Sequence, residues 1–202
     1  MHRGGWPANL PPTTSIIGAM RDIREVRSDL ESMVALLDAA GALEEPNEDI
    51  VGLTILHHGL QCADVLRRTD PEDLELQLAG LLHDVGHVLA PGCEDAHGEV
   101  GAAYVRPVLG DRVASLIGVH VPAKRYLVTT DDSYRGRLST GSTRTLAVQG
   151  DAMADAELAA FRTHRYARAA VRLRRADDQA KDPTAIVPDL AAWLPGLERM
   201  AG

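Results

Sequence analysis

Apolar residues recur every three or four positions from Ser15 to about Ala40, at Ile16, Ile17, Met20, Ile23, Val26, Leu30, Met33, Val34 and Leu37. That spacing predicts an amphipathic helix. Gly41–Asp49, with Pro46-Asn47, breaks it, and a second helix is expected from about Val51 to Arg68, stopped by Thr69-Asp70-Pro71. Pro71-Glu72-Asp73 then suits a helix N-terminus, and the Leu74–Leu82 run that follows ends in His83-Asp84. Gly92–His97 reads as a loop entering a helix near Glu99–Leu109. Asp111–His120 reads as a further helix that ends before Val121-Pro122. A final long helix is expected from Asp155, as N-cap, to about Gln179, with Pro183 and Pro188 ending regular structure. No segment has the two-residue alternation of a strand, so the fold class is all-α.

Residues 1–14 hold two Gly, three Pro and two Thr without periodicity and read as an irregular arm. The remainder, 15–202, is read as a single helical domain, a size that buries a core without disulfides. Aromatics make up only 3% of the chain, so Leu, Val and Ala must fill that core. Asp132–Thr143, rich in Asp, Ser, Thr, Gly and Arg, is either a surface loop or a phosphate-facing lid.

A net charge of −8 disfavours a phosphate-backbone interface, so nucleic acid is not an expected partner. Cys62 and Cys93 have no metal-ribbon spacing and imply no disulfide framework. The N-terminus lacks a secretory signal's apolar core, and no run approaches the roughly 18 apolar residues of a membrane span. The expectation is a cytoplasmic protein with no membrane partner; self-association stays open.

Against this background, Leu81-Leu82-His83-Asp84-Val85-Gly86-His87 stands out, because an apolar run that ends in adjacent imidazole and carboxylate is hard to explain by packing. Six of the eight histidines fall between residues 57 and 120. His58, His83, His97 and His120, with Asp84 and Asp177, would offer N and O ligands suited to hard or borderline divalent metals, enough for two ions. Adjacent helical residues point about 100° apart, so only one of His57 and His58 can face a metal, and His58 is the candidate. His2 and His164 lie away from the cluster.

His58, His83-Asp84 and distant Asp177 resemble the minimal metal pattern of the HD-domain superfamily, most of whose members hydrolyse phosphoesters. His97 in Ala96-His97-Gly98-Glu99 and the string His120-Val121-Pro122-Ala123-Lys124-Arg125-Tyr126-Leu127-Val128 are similar to a narrower group. This is the HD-domain mixed-valent diiron oxygenases, which include the 2-amino-1-hydroxyethylphosphonate dioxygenase and, more remotely, inositol oxygenase. Leu60-Gln61-Cys62-Ala63 and Gln149-Gly150 extend the likeness, which spans residues 50 to about 183.

The resemblance implies an HD-domain helical bundle, an Fe(II)/Fe(III) pair and O2 as co-substrate. His58, His83 and Asp177 would complete one iron and His97 and His120 the other, with Asp84 bridging. It implies His87, Lys124, Ser142 and Arg174 as contacts to a phosphonate head group, with Gln149 near by; Asp84 and His87 are the residues expected to carry catalysis. Lys124 and Arg174 could instead be solvated surface cations, and Ser142 part of a polar loop. The expected reaction is O2-dependent oxidation of a small 1-hydroxyphosphonate with C–P cleavage and phosphate release.

The chain departs from the group upstream of His58, where a Tyr and a Glu are replaced by Glu48 and Val51 in ungapped register. Glu48 is then either an alternative gate or a carboxylate favoured by the start of a helix. Two other readings stand beside the oxygenase. One is a phosphohydrolase using the same ligands with Mn, Mg or Zn on a phosphomonoester or nucleotide. The other is a non-catalytic metal-dependent binding module.

Overall fold

The computed structural model describes residues 29–46 and 50–202. Ten α-helices occur among these residues: α1 Leu30–Ala40, α2 Ile55–Thr69, α3 Leu74–Leu82, α4 Val85–Leu89, α5 His97–Gly118, α6 His120–Thr130, α7 Thr140–Val148, α8 Asp155–Thr163, α9 Ala167–Gln179 and α10 Leu194–Ala201. Short 3-10 turns cover Arg135–Arg137 and Leu190–Ala192. The described residues contain no strand beyond one isolated bridge, Glu44 with Thr54. The all-α expectation holds.

Local signals explain several helix starts. Asp29 accepts from the Ser32 N–H at 2.9 Å, Thr54 from His57 at 3.1 Å and Asp73 from Leu76 at 3.2 Å. Each satisfies an amide that the helix itself leaves without a partner. The expected first helix ends at Ala40 as read, while its residues 15–28, together with the 1–14 arm, lie outside the described residues.

Four boundaries differ from expectation. α2 begins at Ile55 rather than Val51, because Gly52 turns the chain at φ 85° and Leu53 pairs with Glu45. His97 opens α5 instead of preceding it, and the helical stretch then runs to Gly118 with a break at Gly110 (φ 82°). His120 starts a new helix rather than ending one. Pro122 sits in that helix's first turn, where its missing N–H costs nothing. The long helix expected over 155–179 is two, interrupted at His164–Tyr166, and the N-cap position is Ala154, with Asp155 the first helical residue. Beyond Pro188, structure resumes as α10, with Pro195 in its first turn.

The core is the aliphatic one that the composition requires: Leu66, Leu78, Leu82, Val100, Leu116, Ile117 and Leu173 are buried, with Tyr104, Phe161 and Trp193 as its large aromatic members. α2 and α3 pack as the most intimate pair, α9 lies across α2 and α6, and α5 covers α3 and α4. Two glycines permit the closest approaches. A Cβ on Gly59 would come within 2.4 Å of the Leu81 carbonyl oxygen, and one on Gly86 within 1.9 Å of that of His97. These contacts bring the His58, His83 and His97 segments to one end of the bundle.

Candidate metal centre

Six residues from five segments converge there: His58 from the middle of α2, His83 and Asp84 from the α3–α4 junction, His97 and His120 from the first positions of α5 and α6, and Asp177 from α9. All six are buried. Asp84 lies between two groups. Its Oδ2 is 3.4 Å from His58 Nε2 and 3.2 Å from His83 Nε2, while its Oδ1 is 3.4 Å from His97 Nε2 and 3.7 Å from His120 Nε2. Asp177 joins the first group, its Oδ1 3.3 Å from His58 Nε2.

The imidazole tautomers test whether this is a metal site. The Nδ1 atoms of His58, His83, His97 and His120 lie 2.7, 2.8, 2.7 and 2.6 Å from the carbonyl oxygens of Ala180, Gly80, Glu94 and Ile117. A carbonyl only accepts, so each Nδ1 carries a proton and the Nε2 of each ring is the atom left to meet a metal. Those Nε2 atoms nonetheless approach pairwise, His58 to His83 at 3.2 Å and His97 to His120 at 2.9 Å. Lone pairs facing one another across such distances need a cation between them. Both triads, His58-His83-Asp84 and Asp84-His97-His120, bring their ligand atoms within 4.8 Å of one another. The residues fit metal ions, and the backbone carbonyls fix the ring orientations as outer contacts of metal-bound histidines do.

The electrostatics agree. Burial lowers the His58 pKa, but Glu45, Asp177 and Asp84 raise it well above the ordinary value, so the pocket favours positive charge. Burial pushes the Asp84 carboxyl up, yet His83, His58 and His97 hold it well below the usual range.

A cavity of about 40 Å³ opens beside Asp84 and Asp177 and is lined on its far side by Lys124, Arg174, Lys181 and Ser142. The alternative of solvated surface cations fails for Lys124 and Arg174, which are 2% and 5% exposed. Lys124 Nζ donates to Thr145 Oγ1 at 2.7 Å and Gln149 Oε1 at 3.0 Å, and Lys181 Nζ to Ser142 Oγ at 2.8 Å. Burial, helped by neighbouring Arg174, brings the Lys124 ammonium down to about 7. His87 lines the same cavity, stacked on His97 with ring centroids 4.1 Å apart, and burial holds its pKa down at about 3. It is therefore a neutral imidazole.

Arg174 is committed elsewhere than expected. Its Nη1 donates to Asp177 Oδ2 at 2.5 Å, its Nε to Tyr134 Oη at 3.1 Å and its Nη2 to Asp178. It lines the cavity but holds a metal-facing carboxylate in place. The segment left open as loop or lid is partly helical: Ser139 caps α7 through the Ser142 N–H at 3.1 Å, which buries Ser142 against the cavity. His57 turns away, its Nε2 3.0 Å from the Ala185 carbonyl oxygen. Glu48 lies outside the described residues. Lys181, Thr145, Glu94 and Glu45 line the cavity and were not foreseen. Lys181, four residues past Asp177, had no motif to mark it, and Glu94 is found only through the turn that places its carbonyl on His97.

A helical bundle that gathers His, His-Asp and a distant Asp is an HD-type metal site, and residues 51–137 match the HD domain family. The chain is 40% identical to the hydroxymethylphosphonate dioxygenase of Gimesia maris over 72% of this chain and 77% of that protein. It is 28% identical, over 85% of this chain and 89% of the relative, to the glycine-betaine-forming [1-hydroxy-2-(trimethylamino)ethyl]phosphonate dioxygenase of Leisingera caerulea. An uncharacterised mimivirus protein, L432, is 28% identical over 79% of this chain and 76% of its own. The chain belongs to the HD-domain phosphonate dioxygenase family and is an enzyme of the oxygenase class.

Proposed function

We propose that this enzyme uses a mixed-valent pair of iron ions and O2 to oxidise a small 1-hydroxyphosphonate at C1, cleaving the C–P bond to give inorganic phosphate and a carboxylic acid. The observation that carries this reading is the division of Asp84, one oxygen facing His58 and His83 and the other facing His97 and His120. A carboxylate so placed could serve both members of a metal pair. His58, His83 and Asp177 would hold one ion, and His97 and His120 the other. When bound, the irons would activate O2, which takes up the four electrons that the substrate carbon loses.

The chain's own residues bind and orient the substrate. Lys124 and Lys181 face a phosphonate dianion with point charges, Ser142 Oγ supplies a hydroxyl, and the neutral His87 ring contributes a directed donor. Gln149 and Thr145 fix the Lys124 ammonium, so head-group position is set before substrate arrives. Arg174 acts through Asp177 and closes the positive end of the cavity.

Among the described residues, no aromatic ring other than histidine lines the cavity, so they build no cage for a quaternary ammonium. The Gimesia maris relative is named for hydroxymethylphosphonate, which carries no such group. Hydroxymethylphosphonate is therefore the first substrate to test. For it the balance is one substrate dianion and one O2 to formate, hydrogen phosphate and a proton. The experiment is phosphate release by the iron-loaded, ascorbate-treated protein from hydroxymethylphosphonate, larger 1-hydroxyphosphonates and phosphomonoesters, with and without O2. Release from phosphonates only, and only with O2, is expected. Anaerobic release from esters would make the protein a phosphohydrolase.

A further inference from the structure

Glu45 and Glu94 both line the cavity with a buried Oε2 that has no hydrogen-bond partner; Glu94 Oε2 stands 3.6 Å from His87 Nδ1, which leaves Glu45 as the carboxylate to explain. Glu45 Oε2 is sealed from solvent, although the residue lines the same cavity as Asp84 and Asp177. Its placement is built rather than accidental. The Glu45 N–H donates to the Leu53 carbonyl at 2.8 Å and Ile55 N–H to that of Leu43 at 2.9 Å, which ties this stretch to the start of α2, the helix that carries His58. The Gly52 N–H donates to Glu44 Oε2 at 3.0 Å, and Thr54 caps the helix, so the connection is held on both sides.

A buried carboxylate oxygen with no partner costs several kcal/mol unless a cation meets it. The cavity's own cations are engaged away from it: Lys124 with Thr145 and Gln149, Lys181 with Ser142, and Arg174 with Asp177, Asp178 and Tyr134. Glu45 lines the cavity together with Asp84 and Asp177, and the charges of those two and of His58 and His83 act on it. The group of His58, His83 and Asp177 has three ligands of its own plus the shared Asp84, which leaves positions open on an ion that prefers more.

We propose that Glu45 is a further ligand of the metal that His58, His83 and Asp177 would hold. The assignment rests on the two-metal reading above.

The test is metal binding, read without turnover. Metal-free wild type and Glu45→Gln are titrated anaerobically with Mn(II), with free Mn(II) followed by EPR. Two bound ions are expected in both, with the variant's affinity at one of them weakened about 10–100-fold, the range for losing a supporting metal contact. The metal-free variant should melt no lower than wild type, because Gln matches Glu in shape and the lost oxygen had no hydrogen bond. Unchanged affinities at both sites overturn the Glu45 assignment alone, whereas a single Mn(II) in wild type overturns the two-metal reading and the assignment with it. A panel including 2-amino-1-hydroxyethylphosphonate distinguishes the other positive partner. If Glu45→Gln keeps both metal affinities and loses binding of only that ammonium-bearing compound, Glu45 reads substrate and the proposal fails.

Discussion

His97 Nε2 and His120 Nε2 stand 2.9 Å apart although the Nδ1 of each ring already donates to a main-chain carbonyl. The contact is two lone pairs awaiting a cation, so metal should stabilise this fold strongly. At a hundredfold excess over the dissociation constant, binding contributes about 2.7 kcal/mol. At roughly 2–4 °C per kcal/mol for a chain of this size, that is a rise of about 5–11 °C in Tm. Differential scanning fluorimetry of stripped and reloaded protein measures it, and equal melting of the two forms would contradict the site.

Asp84→Ala removes the shared carboxylate from both groups of histidines. Metal content by mass spectrometry should fall to at most one ion per chain, and O2-dependent phosphate release should vanish. Retained turnover at full metal content would show that Asp84 is not the bridge.

Gly86→Ala probes the backbone approach that delivers His97. The new Cβ would meet the His97 carbonyl oxygen at 1.9 Å, and the obstacle is main chain rather than a flexible side chain. The expected loss is about 1–3 kcal/mol or more, as for other overpacking changes. Metal affinity should weaken at the His97–His120 side. A variant with wild-type Tm and metal binding would show that the two segments can separate without cost.

Lys124 sets a pH dependence. Its folded value of about 7 lies below the ordinary 10.5, so between these values the unfolded chain holds the extra proton. Stability should therefore rise with pH across that window as the buried charge is relieved. Affinity for phosphonate moves the other way, because the neutral amine is a poorer partner for a dianion. The kcat/KM profile should fall above about pH 7, and Lys124→Met should lower it most on the acid side and flatten the fall on the alkaline side. An unchanged profile in the variant would remove Lys124 from substrate recognition.

Arg125→Ala tests the neighbour of Lys124. Arg125 donates to both carboxylate oxygens of Glu157, at 2.7 and 2.9 Å, and to the Asp151 carbonyl at 2.9 Å, which fastens the loop after Gln149 to α6. Losing hydrogen bonds to a charged group there should cost about 1.5–3 kcal/mol. KM should rise more than kcat falls, since Gln149 orients Lys124. Equal loss in both parameters would place the effect elsewhere.

The string from His120 to Val128 shows why the candidate site was legible. His120 faces Asp84, Lys124 the cavity and Arg125 the 149–157 loop, while Tyr126 stacks on Phe161 with ring centroids 4.7 Å apart. Each position answers to a separate contact, so the pattern is dense enough to read. Helix ends were less legible where two signals competed. Pro122 looked like a stop after His120, yet in the first turn of a helix it is permitted, and only the packing of α6 against α9 decides. Lys181 and Glu45 could not be read at all, because each reaches the cavity from an irregular segment whose path depends on long-range contacts such as Glu45 N–H to Leu53.

Three of the four ligand imidazoles are steered by a carbonyl three residues earlier in the chain: Gly80 for His83, Glu94 for His97 and Ile117 for His120. Their aim is thus written into single turns of backbone. His58 alone waits for Ala180, more than a hundred residues later and next to the stretch that brings Asp177. During synthesis, His83, His97 and His120 can be aimed before Asp177 and Ala180 exist. In the proposed two-metal reading, the ion that His58, His83 and Asp177 would hold then waits on residues 177–180, so a C-terminally shortened chain is expected to bind one ion fewer.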